Sequence, residues 1–161
     1  MVKTPLEVQI GQILTRRKMT LAAAESCTGG LVSHRLTNVP GSSAYFLGGI
    51  IAYANQAKMA LLGVNESTLA SHGAVSKETV LEMALGVRQA LKADIGIAVS
   101  GIAGPGGGSP GKPVGLVWIG LSAGDGGEAR SAIWPGDRLA VKEQSAQAAL
   151  QLLLEYLTPR A

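Results

Sequence analysis

With 161 residues, 47% of them hydrophobic and only 16% charged, the chain can bury one sizeable core, and its composition excludes disorder, a coiled coil and a charged tail. A net charge of +3, no basic run longer than Arg16-Arg17-Lys18, and only three Tyr, two Trp and one Phe give no footing for nucleic-acid binding. The single cysteine, Cys27, allows no internal disulfide and no apolar leader interrupts the charged start, so a cytoplasmic protein is expected.

Leu6, Ile10, Ile13 and Leu14 recur at helical spacing and end in the basic trio, which suits a helix C-terminus. The apolar run 19–24 then reads as a strand, Glu25-Ser26-Cys27-Thr28-Gly29-Gly30 as a tight turn, and Leu31, Val32 and Leu36 as a helix stopped by Pro40-Gly41. Residues 36–57 carry no charge, but Asn38, Pro40, Gly41, Ser42 and Ser43 exclude a membrane span. A second strand over 48–54 leads through Asn55, a cap candidate, into a short helix ending near Leu62.

Ser76 can cap a helix whose Val80, Met83, Ala84, Val87 and Leu91 form one apolar face, and a strand over 95–99 follows. Residues 100–113 form a glycine-rich loop. Strands over 114–122 and 130–134 read as a hairpin joined across Asp125-Gly126-Gly127, and Asp137 caps a last helix with Leu139, Ala146, Leu150, Leu153 and Leu157 inward. The alternation predicts an α/β fold: one three-layer α/β/α domain over 1–161, its mixed sheet built from parallel βα units plus a C-terminal antiparallel hairpin.

Residues 106–111 match the GxGxxG string and 106–112 the GxxxxGK string, yet both phosphate mechanisms need the glycines to open a helix, and here Pro113 and a β-rich run follow. Asn65-Glu66-Ser67 fits a glycosylation acceptor that a cytoplasmic chain never presents to its enzyme. His34 and His72 are far apart and lack paired carboxylates at ligand spacing, so no metal site is expected. His34 also lies about two turns into its helix, too far along to serve Ser26 or Cys27 as a base.

Ser26 stands where a strand turns into a helix, with Gly29 and Gly30 leaving amides uncovered that could stabilise an oxyanion; equally, Ser26 or Thr28 could simply cap that helix. Cys27 could be a nucleophile or a small buried residue. Lys58 in the first turn of one helix and Arg138 directly after the Asp137 cap of another both oppose the helix dipole. A desolvated lysine in that field could act as a neutral general base, and an arginine there would suit an anion, while two solvated surface cations remain the plainer alternative.

Five ordered segments carry a resemblance: Ala24-Glu25-Ser26-Cys27-Thr28-Gly29-Gly30, Tyr53-Ala54-Asn55-Gln56-Ala57-Lys58, His72-Gly73-Ala74-Val75-Ser76, Ser100-Gly101-Ile102-Ala103-Gly104-Pro105, and Pro135-Gly136-Asp137-Arg138. Together they resemble the CinA C-terminal domain family, the nicotinamide-nucleotide amidohydrolases, in the stand-alone form without the additional N-terminal domain of the larger CinA proteins. The resemblance implies hydrolysis of the carboxamide of nicotinamide mononucleotide by a serine/lysine mechanism, with Ser26 as nucleophile, Lys58 as base and Tyr53 as an accessory hydroxyl. It also implies substrate contacts from Thr28, Gly29, Gly30, Gly101 and Arg138, no cofactor, a small nucleotide as the partner, and self-association. A regulatory nucleotide-binding module of a competence or damage response is the competing expectation.

Overall fold

The computed structural model describes residues 2–159. Five strands form one mixed sheet in the order β2-β1-β3-β4-β5, with β1 (Leu21–Glu25), β2 (Phe46–Ile51), β3 (Ile95–Gly101), β4 (Leu116–Ala123) and β5 (Gly126–Ile133). β1 pairs in parallel with β2 and β3, whereas β3–β4 and β4–β5 are antiparallel. The mixed α/β architecture expected from the sequence is therefore the one observed.

Strand alternation decides which layer each residue joins. Leu21 and Ala23 of β1, with Ile95, Ile97 and Val99 of β3, face a core shared with α1 (Leu6–Arg17), α2 (Leu31–Thr37) and α6 (Arg138–Leu157). Ala22, Ala24 and Ala98 face the opposite core, shared with α3 (Asn55–Leu62), α4 (Glu66–His72) and α5 (Lys77–Ala90). On that second face the sheet offers only small side chains where α5 crosses. A Cβ on Gly96 would run into the Ala84 carbonyl, and one on Gly120 into that of Val80, so glycine is what lets α5 lie directly on the sheet.

Several boundaries differ from the sequence reading. β2 spans Phe46–Ile51 rather than 48–54, because Phe46 pairs with Leu21 in the ladder. α3 is entered from Ala54, without a side-chain cap, so Asn55 is its first residue and not its cap. The hairpin loop is Gly124-Asp125, since Ala123 pairs with Gly126, which lengthens β5 to eight residues. Leu139, expected inward, is 69% exposed: it lies in the first turn of α6, where the helix faces the Gly29-Gly30 turn instead of the sheet. Ser76 and Asp137 do cap, accepting from the amides of Thr79 and Ala140.

α4 was not anticipated at all. Its start is capped from another helix, for Glu82 of α5 accepts from the Asn65 amide, the Asn65 side chain and the Thr68 hydroxyl. Among the described residues no helix is long and apolar enough to cross a membrane.

Gly86 supplies a test of the α3–α5 contact that carries Lys58. A Cβ there would collide with the Leu62 carbonyl at the end of α3. Alanine is the better helix former by about 1 kcal/mol, whereas overpacking typically costs 1–3 kcal/mol, so Gly86→Ala should lower the melting temperature by a few degrees. A rise on thermal denaturation would mean that the two helices are not in close contact.

Candidate active site

The parallel strands end together on one edge of the sheet, and the chain reverses its direction of travel across the sheet between β1 and β3, the place where open α/β sheets form crevices. Ser26 follows directly on β1, held by its amide to the Val99 carbonyl of β3 at 3.0 Å. Its side chain does not cap α2. Gly30 occupies that position with φ 104°, and the Ser26 Oγ accepts instead from Lys58 Nζ at 3.0 Å.

Lys58 is 1% exposed, the largest fully buried side chain among the described residues. It sits in the first turn of α3, its amide bonded to the Ala54 carbonyl, and its ammonium reaches back to donate to the Tyr53 carbonyl as well, at 3.0 Å. Both partners are neutral, and no carboxylate pairs with it among the described residues. Burial without a counter-ion pushes its pKa below the ordinary lysine range, opposed only weakly by the neighbouring Cys27.

The acidic residue next to Ser26 in sequence, Glu25, is itself 1% exposed. Its carboxylate accepts from the amides of Val32 and Ser33 and from the Ser33 hydroxyl, at 2.8, 3.0 and 2.7 Å. Those bonds hold the carboxylate at the start of α2 and fix the Ser26–Gly30 turn between β1 and the helix. Sequence reading missed this residue; its only sign was a charge in an otherwise apolar strand.

Within the turn the Gly29 amide is already used by the Ser26 carbonyl, whereas those of Thr28 and Gly30 have no partner among the described residues. Gly29 and Gly30 both have positive φ, 59° and 104°, which a side chain would strain. The Thr28 Oγ1 is likewise buried and unpartnered. Cys27 belongs to the apolar core, and burial pushes its thiol up to about 11, so it carries almost no thiolate near neutral pH.

Tyr53 meets Arg138 and Lys58 through different atoms. Its hydroxyl points away from Lys58 to accept from Arg138 Nη2 at 2.8 Å, and its backbone carbonyl makes the lysine contact. Arg138 also donates to the Gly104 carbonyl at 2.7 Å, so one guanidinium ties the start of α6 to both loops around the site and still lacks an anionic partner among the described residues. Gly101 lies at the end of β3 opposite Val117, where a Cβ would come within 2.5 Å of the valine methyl, so packing alone requires a glycine there. The glycine-rich loop opens no helix, since Ser109 bridges to Lys112 and β4 follows. His34 contacts Asn38 and His72 contacts Glu78, and neither hydrogen-bonds to Ser26 or Lys58.

The model of the CinA C-terminal domain matches residues 3–157. The chain belongs to that family. Among its relatives, a putative competence-damage inducible protein of Moorella thermoacetica is 56% identical over 94% of this chain. The chain spans 37% of that protein's length, just over a third. The nicotinamide-nucleotide amidohydrolase PncC of Escherichia coli is 49% identical over 92% of this chain and 90% of its own. A crystal structure of a CinA superfamily protein from Klebsiella pneumoniae superposes with a TM-score of 0.91 at 37% identity, covering 94% of this chain and 95% of that one.

Lys58 has a stability consequence of known sign. A lowered pKa means that the unfolded chain binds the proton more tightly, so the folded state is penalised below the folded pKa and regains that stability as pH rises toward ~10.4. Lys58→Met, which removes the penalty, should be at least as stable as wild type at pH 7, with the difference narrowing as pH rises. A markedly less stable Lys58→Met at pH 7, by chemical denaturation, would show that the lysine is held by favourable contacts.

Proposed function

We propose that this chain hydrolyses the carboxamide of nicotinamide mononucleotide to nicotinic acid mononucleotide and ammonia, a step of pyridine-nucleotide salvage, with Ser26 as nucleophile and Lys58 as general base. The observation that carries this reading is the 3.0 Å contact between a buried lysine without a counter-ion and the hydroxyl of Ser26. The printed activity of the Escherichia coli relative supplies the substrate.

The chemistry follows from the groups present. Neutral Lys58 accepts the Ser26 hydroxyl proton as Oγ bonds to the carboxamide carbon, and the free Thr28 and Gly30 amides are the donors available to the oxyanion. The C–N bond then breaks as Lys58 returns the proton to the leaving nitrogen, releasing ammonia. Water, giving its proton to Lys58, cleaves the ester, and Ser26 recovers its hydroxyl. Arg138 binds the substrate phosphate with the donors left over from Tyr53 and Gly104, and Tyr53 marks the mouth of the site.

Ser26→Ala should lose at least roughly 10³-fold in ammonia release while keeping the fold, because its hydroxyl caps no helix. Wild-type rate should rise with pH through one ionisation below the ordinary lysine value, and Lys58→Arg should be nearly inactive, since guanidinium accepts no proton. A Lys58→Arg enzyme with near wild-type rate and an unchanged pH profile would remove lysine as the base. Arg138→Ala should raise KM for the mononucleotide by about tenfold or more. Binding of the mononucleotide without any ammonia release would favour a regulatory module instead.

A further inference from the structure

α2 begins without a capping side chain at its own N-cap. Gly30 holds the position that Ser, Thr, Asp or Asn ordinarily fill. The two hydroxyls of the preceding turn do not replace it, for Ser26 Oγ is engaged by Lys58 and Thr28 Oγ1 has no partner among the described residues. The amides of Val32 and Ser33, which such a cap would satisfy, go instead to the Glu25 carboxylate at the end of β1, one oxygen to each, at 2.8 and 3.0 Å. The Ser33 hydroxyl adds a bond of 2.7 Å, and Gly49 of β2 makes room for it, since a Cβ there would come within 2.2 Å of that hydroxyl oxygen.

We infer that Glu25 is a positioning residue for the reaction: by capping α2 from the strand it leaves the Ser26 hydroxyl to Lys58 and the Thr28 and Gly30 amides to the oxyanion.

The first amides of a helix have no partner within it and, when buried, must find an acceptor. Three side chains at this turn can accept: the hydroxyls of Ser26 and Thr28, and the carboxylate of Glu25. A carboxylate accepts through two oxygens at once and forms the stronger, charge-assisted bonds, so it outcompetes a hydroxyl. Ser26 is thereby spared the capping role that its place between a strand and a helix invites. Glu25 itself touches neither Ser26 Oγ nor Lys58, so its effect on the reaction is carried by the turn. Glutamine has nearly the same size but accepts on one side only, so Glu25→Gln sets an NH₂ against the Val32 or the Ser33 amide and hands that amide to another acceptor.

This role rests on the reading of Ser26 as nucleophile and Lys58 as base, and labelling by a fluorophosphonate probe tests it apart from the nucleotide. The probe phosphonylates a serine with loss of fluoride, and needs the nucleophile, its base and the oxyanion donors. Glu25→Gln should label at Ser26 about 30-fold or more slowly than wild type, by intact-protein mass, and lose kcat for the mononucleotide by a similar factor. Its melting temperature should stay well above the assay temperature, the pH profile of labelling should keep the wild-type ionisation, and calorimetric affinity for nicotinic acid mononucleotide should change by no more than about twofold. Ser33→Ala, which removes only the hydroxyl bond, should show the same pattern at about threefold or more, and decides the matter if Glu25→Gln does not fold. A wild type that does not label at Ser26, variants that label at the wild-type rate, or a loss of affinity that matches the loss of rate overturns the inference. Labelling of Ser26 that depends on Glu25, with no ammonia released from the mononucleotide by wild type, leaves the inference standing and removes the proposed substrate.

Discussion

A buried ammonium without a carboxylate partner is the constraint around which the site is arranged. Lys58 is enclosed at the start of α3 with only the Ser26 hydroxyl and the Tyr53 carbonyl to receive its protons. An isolated charge in such a place is expensive, and the lysine responds by titrating lower. Pairing it with an acid would hold the proton on nitrogen, which would defeat the base proposed for the reaction. Stability is therefore given up locally, and the surrounding helices must hold the lysine in place by packing. α5 does so from behind, lying on Ala22, Ala24, Gly96, Ala98 and Gly120, and reaching α3 at Gly86.

Glu25 shows how an acid can stand one residue from Ser26 without pairing with Lys58. Its carboxylate is taken up by two amides and a hydroxyl at the start of α2. The same bonds lock the Ser26–Gly30 turn to the helix. With the Val32 and Ser33 amides occupied by Glu25, the Thr28 and Gly30 amides of the turn itself keep no partner among the described residues. One buried carboxylate thus settles both the geometry of the turn and the electrostatics beside it.

Much of this was readable in the chain because the working residues break local rules. Lys58 and Arg138 stand out as cations at helix starts, and Ser26 as a hydroxyl between a strand and two glycines. The layering was legible from periodicity, since β1 is short and apolar and α6 carries Ala146, Leu150, Leu153 and Leu157 on one face. What stayed hidden depends on partners distant in sequence. α4 is capped by Glu82 from another helix, and the role of Glu25 needs its meeting with Val32 and Ser33. The Tyr53 motif residue was legible, but which of its atoms meets lysine was not, because Arg138, 85 residues away, draws the hydroxyl outward. Leu139 followed the helical period yet lies beyond the sheet that would have buried it.

The division of labour between α3 and α6 has an electrostatic logic for a phosphorylated substrate. A phosphate monoester carries about −1.5 to −2 charges near neutral pH, and one brought beside Lys58 would raise its pKa and protonate the base just as the substrate arrives. Arg138, at the start of α6, meets the hydroxyl of Tyr53 while Lys58 meets its carbonyl, so a permanent positive charge stands across one tyrosine from the lysine. A phosphate bound by that guanidinium would have part of its charge offset before Lys58 felt it. Cations next to Lys58 itself would also have lowered its pKa, but they would have drawn the phosphate onto the base. In the proposed reaction, a base on α3 and a guanidinium on α6 would let Lys58 remain a proton acceptor while the carboxamide rather than the phosphate meets Ser26.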